Sequence, residues 1–224
     1  MTRTKLADRV LPDYTKGEEL ANMITHIIGG VFGIVALIIC VVLSARNHDG
    51  FYVVGSAIYG ASLIILYTMS SVYHGLRPNM GKRVMQVIDH CTIYFLIGGT
   101  YSPIVLGPLR EVSPGWGWSI FGVVWGLAIF SAVLTAIDLK KYAKISMIGY
   151  IGIGWCIVIA SVPTIKAVTF EGFMWLLGGG IAYTVGAILY GLGKKKRYMH
   201  SIFHVFVLLG TVLQFVCIYK FAVL

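Results

Sequence analysis

The stretch MITHIIGGVFGIVALIICVVLS, residues 23–44, decides the fold. It holds no Lys, Arg, Asp or Glu. As a helix rising about 1.5 Å per residue it is ~33 Å long, enough to cross the hydrocarbon core of a bilayer. Its apolar residues run continuously rather than alternating, which excludes a barrel strand. It is longer than the core of a signal peptide, and no small-residue cleavage site follows it. It therefore reads as a retained first span. The twenty residues before it are polar, with Asp8, Asp13, Glu18 and Glu19 among the bases. They read as a tail, residues 1–20, ahead of a membrane domain over 21–224.

Six similar runs follow: Phe51–His74, Val84–Gly107, Gly117–Ile137, Ala143–Pro163, Phe170–Gly191 and His200–Tyr219. Seven spans of about 20 residues occupy ~140 positions, which leaves no room for a soluble domain. The expected fold is all-α: a polytopic bundle of seven transmembrane helices. Composition agrees, because only 12% of the 224 residues are charged against roughly 25% in soluble domains. A soluble enzyme, a nucleic-acid binder and a disordered chain are excluded. The net charge of +9 sits in clusters between the apolar runs. Gly29 with Gly33, and Gly122 with Gly126, have the spacing of close helix contacts.

Lys and Arg set the orientation. Arg3, Lys5, Arg9 and Lys16 precede span 1. Arg77, Lys82 and Arg83 follow span 2; Lys140, Lys141 and Lys144 follow span 4; Lys194 to Arg197 follow span 6. The other side carries Arg46, Arg110, Lys166 and Lys220. Fourteen of the 18 bases on one face place the N-terminus in the cytoplasm and the C-terminus outside.

On that topology five of the six histidines, His26, His74, His90, His200 and His204, and the one clearly intramembrane carboxylate, Asp89, gather in the cytoplasmic leaflet. Of the histidines only His48 lies elsewhere, in the short outer loop. Such residues are costly in a bilayer and mark sites. His200 and His204, at i and i+4, share one helix face. Ser70 and His74 repeat that spacing on span 2. Three imidazoles and one open position form the pattern of catalytic zinc, and Asp89 is placed to hold or polarise a water there.

Each residue also has a plainer reading. The paired histidines suit a membrane interface, and an HExxH motif is absent because 201–203 are Ser, Ile and Phe. His74 suits a helix end, Ser70 helix packing, and Asp89 the positive end of a helix dipole. His26 and His90 read as local hydrogen-bonding groups or supports of the site, since His90 points about 100° away from Asp89. Tyr73, Tyr94 and Tyr101 read as packing aromatics, and Lys194–Arg197 as a topological signal with some contact to anionic lipid. Cys40, Cys91, Cys156 and Cys217 lie within spans and form no CxxC pair; they read as buried thiols, with Cys91 left as a neighbour of the metal through its position beside His90.

In combination these residues resemble the haemolysin III group, the bacterial branch of the progestin and adipoQ receptor family, within the seven-helix membrane hydrolases that include alkaline ceramidases. The resemblance runs from about Glu18 to Tyr219. It is carried by Glu18-Glu19-Leu20-Ala21-Asn22 with Thr25-His26, by Ser70 and His74, and by Asp89-His90 with Ile93-Tyr94. Gly99-Thr100-Tyr101-Ser102-Pro103, Gly154-Trp155 and His200-Ser201-Ile202-Phe203-His204 complete it. No metal position departs from the family pattern. The resemblance implies zinc on His74, His200 and His204, a water held by Asp89, and support from Ser70. It also implies residence in the cell membrane and a link to lipid homeostasis or cytolysis.

Three functions are expected in order. The first is a zinc-dependent hydrolase acting on a lipid amide or related carbonyl, with membrane lipid as substrate or ligand and no nucleic acid. The second is a lytic or pore-forming protein. The third is a receptor or regulator whose zinc is structural. Ionisable groups that stop at one leaflet argue against a through-pore. The oligomeric state is not indicated.

Overall fold

The protein is described by a computed structural model over residues 4–193 and 196–224, and among these all regular structure is helical. The expected all-α, polytopic membrane architecture is observed. Among the described residues five stretches are long and apolar enough to cross a membrane: Lys16–Asn47, Gly50–Gly75, Pro114–Ile137, Ala143–Leu192 and Met199–Val223. They contain α1 (Lys16–Asn47), α2 (Gly50–Gly75), α5 (Pro114–Ile137), α6 (Ala143–Gly154), α7 (Ser161–Leu192) and α8 (Met199–Cys217). Between α2 and α5 lie α3 (Met80–Leu106) and a short α4 (Pro108–Val112). At 27 residues α3 has the length of a span, but its first half carries Lys82, Arg83, Gln86, Asp89 and His90. That half is the polar part of the site.

The 50-residue stretch Ala143–Leu192 is not one rod. A 3₁₀ segment, Cys156–Ala160, interrupts it after Trp155. The Tyr101 hydroxyl satisfies the loosened backbone there. It donates toward the carbonyls of Ile153 and Gly154, 3.0 and 2.8 Å away, and accepts the Ile157 N–H at 3.0 Å. A second break falls at Val168 and Thr169, where Thr169 has φ 64°. Where the sequence leaves a loop between Pro163 and Phe170, α7 continues helically up to this break. The Thr169 hydroxyl restarts the helix by accepting the Gly172 N–H at 3.3 Å.

The bundle is built inside out relative to a soluble protein. On α1 the buried stripe is Glu18, Asn22, His26, Gly29, Gly33, Ala36, Cys40 and Ser44, while Ile27, Ile28, Val31 and Ile38 are exposed. Helices in hydrocarbon gain nothing by hiding apolar side chains from lipid, so small and polar residues take the contacts. A Cβ on Gly29 would lie 2.5 Å from the Tyr67 ring, which shows how closely α1 and α2 approach. Gly122 and Gly126 behave differently from the expectation: a Cβ on either would meet nothing within 4 Å. Their face of α5 points away from the protein, so the spacing alone did not identify a partner helix.

The helix starts aim the site. Thr15 and Glu18 form a reciprocal cap at the head of α1. Glu18 Oε1 also accepts the backbone N–H of Tyr198 at 2.7 Å. Tyr198 has φ 60°, an uncommon conformation for a side chain of that size, and this bond secures it immediately before α8. Arg197 reaches both Glu18 and the Asp13 carbonyl. Arg3, Lys194 and Lys195, which entered the charge count, lie outside the described residues. Asp138, in the α5–α6 turn, accepts the N–H groups of Thr4, Lys140 and Lys141. The bond from Thr4, with those from the turn, holds its carboxyl down at a pKa of about 2.

Candidate metal centre

Helices α2 and α8 bring His74, His200 and His204 together. One ligand nitrogen from each lies within 4.8 Å of the others. Tetrahedral zinc at about 2.0–2.1 Å from each nitrogen needs nitrogens about 3.3 Å apart. His200 and His204 meet that requirement, with their Nε2 atoms 3.1 Å apart.

The outer hydrogen bonds identify which nitrogens face the centre. His74 Nδ1 lies 2.6 Å from Glu19 Oε2. A carboxylate only accepts, so Nδ1 carries the proton and Nε2 presents a lone pair. That Nε2 is buried and has no hydrogen-bond partner. His204 Nδ1 lies 3.3 Å from the Asn22 carbonyl, which imposes the same tautomer. Two Nε2 atoms left unprotonated by an acceptor behind each ring, in a cluster whose ligand nitrogens lie within 4.8 Å of one another, form the donor set of a histidine-bound metal. The residues therefore fit zinc.

Behind the histidines runs a polar chain from α1. Glu19 Oε1 accepts from Lys82 Nζ at 2.7 Å, and Lys82 also donates to the Leu76 carbonyl at 2.9 Å. Asn22 Oδ1 accepts from Ser201 at 2.6 Å. Glu19 and Asn22 lie in the Glu18–Asn22 stretch that carried the resemblance, yet the sequence gives them no separate roles. One available signal is that Asn22 lies on the polar-and-small stripe of α1, beside Glu18 and His26.

The remaining expected residues sort into two groups. Asp89 and Ser70 are buried and line the same cavity as His200 and His204, but fall outside the three-nitrogen cluster. The Ser70 hydroxyl faces the Asp89 carboxylate and has no close hydrogen bond among the described residues. His26 also lines the cavity, stacked on His204 with ring centroids 3.7 Å apart. Neither of its ring nitrogens has a partner. His90 is turned to the Gln86 carbonyl at 2.8 Å, with Asp89 at 3.5 Å. Cys91 points elsewhere, toward the Ala132 carbonyl on α5, and is not a metal neighbour. Tyr14, ahead of α1, stacks on His200 at 5.1 Å. His48 stacks on Tyr52, remote from the cluster.

The cavity has a volume of about 260 Å³. Its wall is mostly apolar, including Ile93, Ile97, Met147, Ile151 and Val207. It extends from His200 to Gln214 along α8, 14 residues or about 21 Å.

A family model described as "Haemolysin-III related" matches residues 14–215. The chain is 37% identical over 201 residues to "Hemolysin-3" of Bacillus cereus, covering 90% of each protein. It is 36% identical over 210 residues to "Hemolysin-3 homolog" of Bacillus subtilis strain 168, covering 94% of this chain and 97% of that one. A human protein, "Monocyte to macrophage differentiation factor", is 25% identical over 214 residues, with 91% and 84% covered.

Proposed function

From the premise that this chain belongs to the haemolysin-III-related family, as a multi-pass protein of the cell membrane, we propose that it is a zinc-dependent hydrolase acting on a lipid amide or a related carbonyl. The observation that carries this reading is the three-histidine cluster at one end of a long, mostly apolar cavity, with Asp89 and Ser70 in the same wall. The cavity takes an acyl chain, and the cluster takes the polar end. The proposal includes seven spans with an inside N-terminus, which puts the reacting end at the cytoplasmic leaflet.

His74, His200 and His204 would hold zinc, which when bound would supply Lewis acidity and lower the pKa of a water beside it. Glu19 and Asn22 fix the imidazoles through Nδ1 of His74 and of His204. Asp89 accepts the proton of the attacking water and returns it to the leaving group. Ser70, whose hydroxyl has hydrogen-bonding capacity to spare, orients that water or the substrate carbonyl. Apolar walls exclude bulk water from the reacting bond.

The test is turnover of a long-chain lipid amide by purified protein, before and after chelation and again after zinc is returned. Activity lost with chelation and regained with zinc is expected. No turnover by zinc-loaded protein across a panel of lipid amides and esters would transfer the site to the receptor reading, in which the same histidines staple α2 to α8.

A further inference from the structure

We propose that the cavity selects an acyl chain bearing a hydroxyl group at or near its far end, and that Gln214 is the residue that recognises it; the proposal rests on the acyl-chain reading of the cavity. Gln214 lies about 21 Å from His200 along α8, at the end of the cavity remote from the metal cluster. There an annex of about 30 Å³ adjoins it, sharing Gln214, Thr100, Tyr101, Gly154 and Trp155 in its lining. That volume admits one water or one hydroxymethyl group.

An amide facing an apolar chain loses its hydration without gaining a partner, and that is costly in the membrane interior. Among the described residues the Gln214 side-chain amide makes no hydrogen bond, although it has two donors and an acceptor to offer. Other polar groups near it are committed. Tyr101 bonds the broken backbone after α6. Thr184 donates to the Gly180 carbonyl and accepts from Trp155. Thr100 donates to the Leu96 carbonyl at 2.8 Å, which leaves its oxygen able to accept. The annex thus retains one donor–acceptor group, Gln214, and one acceptor, Thr100. A hydroxyl is the small group that can accept from the first and donate to the second.

The backbone makes room for this arrangement. A Cβ on Gly179 would collide with the Gln214 side chain and approach the Gly210 carbonyl. Glycine there lets Gln214 lie across α7 toward the cavity. A site that hydrogen-bonds a hydroxyl discriminates against the analogue that lacks it, because its own polar groups are then left unpaired.

The test is displacement of a fluorescent fatty acid from the full-length purified protein by palmitic acid and by its ω-hydroxy counterpart. Tighter binding of the hydroxylated chain, by about two- to tenfold, is expected for one neutral hydrogen bond. Gln214→Leu is expected to abolish the preference while binding palmitic acid at least as well. Gln214→Met, unbranched like the native side chain, provides the same comparison if the leucine variant does not fold. Equal binding of the two acids by the native protein, or a preference that survives in the variants, overturns the proposal while leaving the acyl-chain reading intact. Failure of either acid to displace the probe overturns both.

Discussion

Glu19→Gln isolates what the carboxylate behind His74 contributes. In the native structure Glu19 bridges two partners, His74 Nδ1 at 2.6 Å and Lys82 Nζ at 2.7 Å. Lys82 is only 2% exposed. The glutamine keeps the shape but loses the charge, and it leaves an acceptor at only one of the two oxygen positions that His74 and Lys82 use separately. His74 becomes a weaker and less firmly held ligand. Loss of such an outer partner costs 10–100-fold in metal affinity, or about 1.4–2.7 kcal/mol. Separately, Lys82 is left as a buried cation without its carboxylate. Breaking a buried pair costs about 3–5 kcal/mol, and less than that here, because the Glu19 side chain is 20% exposed. Replacing Lys82 by methionine in the same background removes the orphaned charge. The double variant Glu19→Gln/Lys82→Met therefore regains stability without regaining metal affinity. Zinc affinity is measured by competition with a chromophoric chelator, and stability by thermal unfolding in detergent. Native zinc affinity in Glu19→Gln would refute the argument, as would its recovery by Lys82→Met, because neither is compatible with His74 being held for the metal by Glu19.

Asp89→Asn is expected to retain zinc, with affinity weakened no more than about 100-fold, while lipid hydrolysis falls by about 10² to 10⁴ as a general base is lost; loss of the metal itself would make Asp89 a ligand. A reporter fused after Leu224 is expected outside the cell and one inserted in the Lys194–Arg197 loop inside; a cytoplasmic C-terminus contradicts the seven-span topology. Gly29→Val is expected to lower stability by about 1–3 kcal/mol through overpacking against Tyr67. Gly126→Val, which meets open space, is expected to fall within about 0.5 kcal/mol of the native protein in thermal unfolding.

Those two glycines illustrate what was legible in the sequence. Spacing reports that two small residues share a helix face, but not which helix faces them, so Gly29 and Gly126 look alike until α1 and α5 are placed. Apolar run length located the helices well because a bilayer imposes it. It left open the break at Thr169, where a β-branched residue adopts positive φ with no glycine to signal it. The histidine cluster was readable because His200 and His204 are one turn apart and imidazoles are rare in hydrocarbon. Glu19 was hidden by its position. An acidic residue in the first turn of a helix is usual on dipole grounds alone, and its contact with His74 spans 55 positions of sequence. The stacking of His26 on His204 was hidden for the same reason, since it joins the first helix to the last.

Elemental analysis of the purified protein and four single variants tests the central claim most directly. The native chain is expected to carry about one zinc. His74→Ala, His200→Ala and His204→Ala are each expected to lose most of it, and His48→Ala, stacked on Tyr52 away from the cluster, is expected to keep it. Equal zinc content in all five proteins, or none in the native one after purification without chelators and exposure to zinc, would contradict a metal centre built from these three histidines.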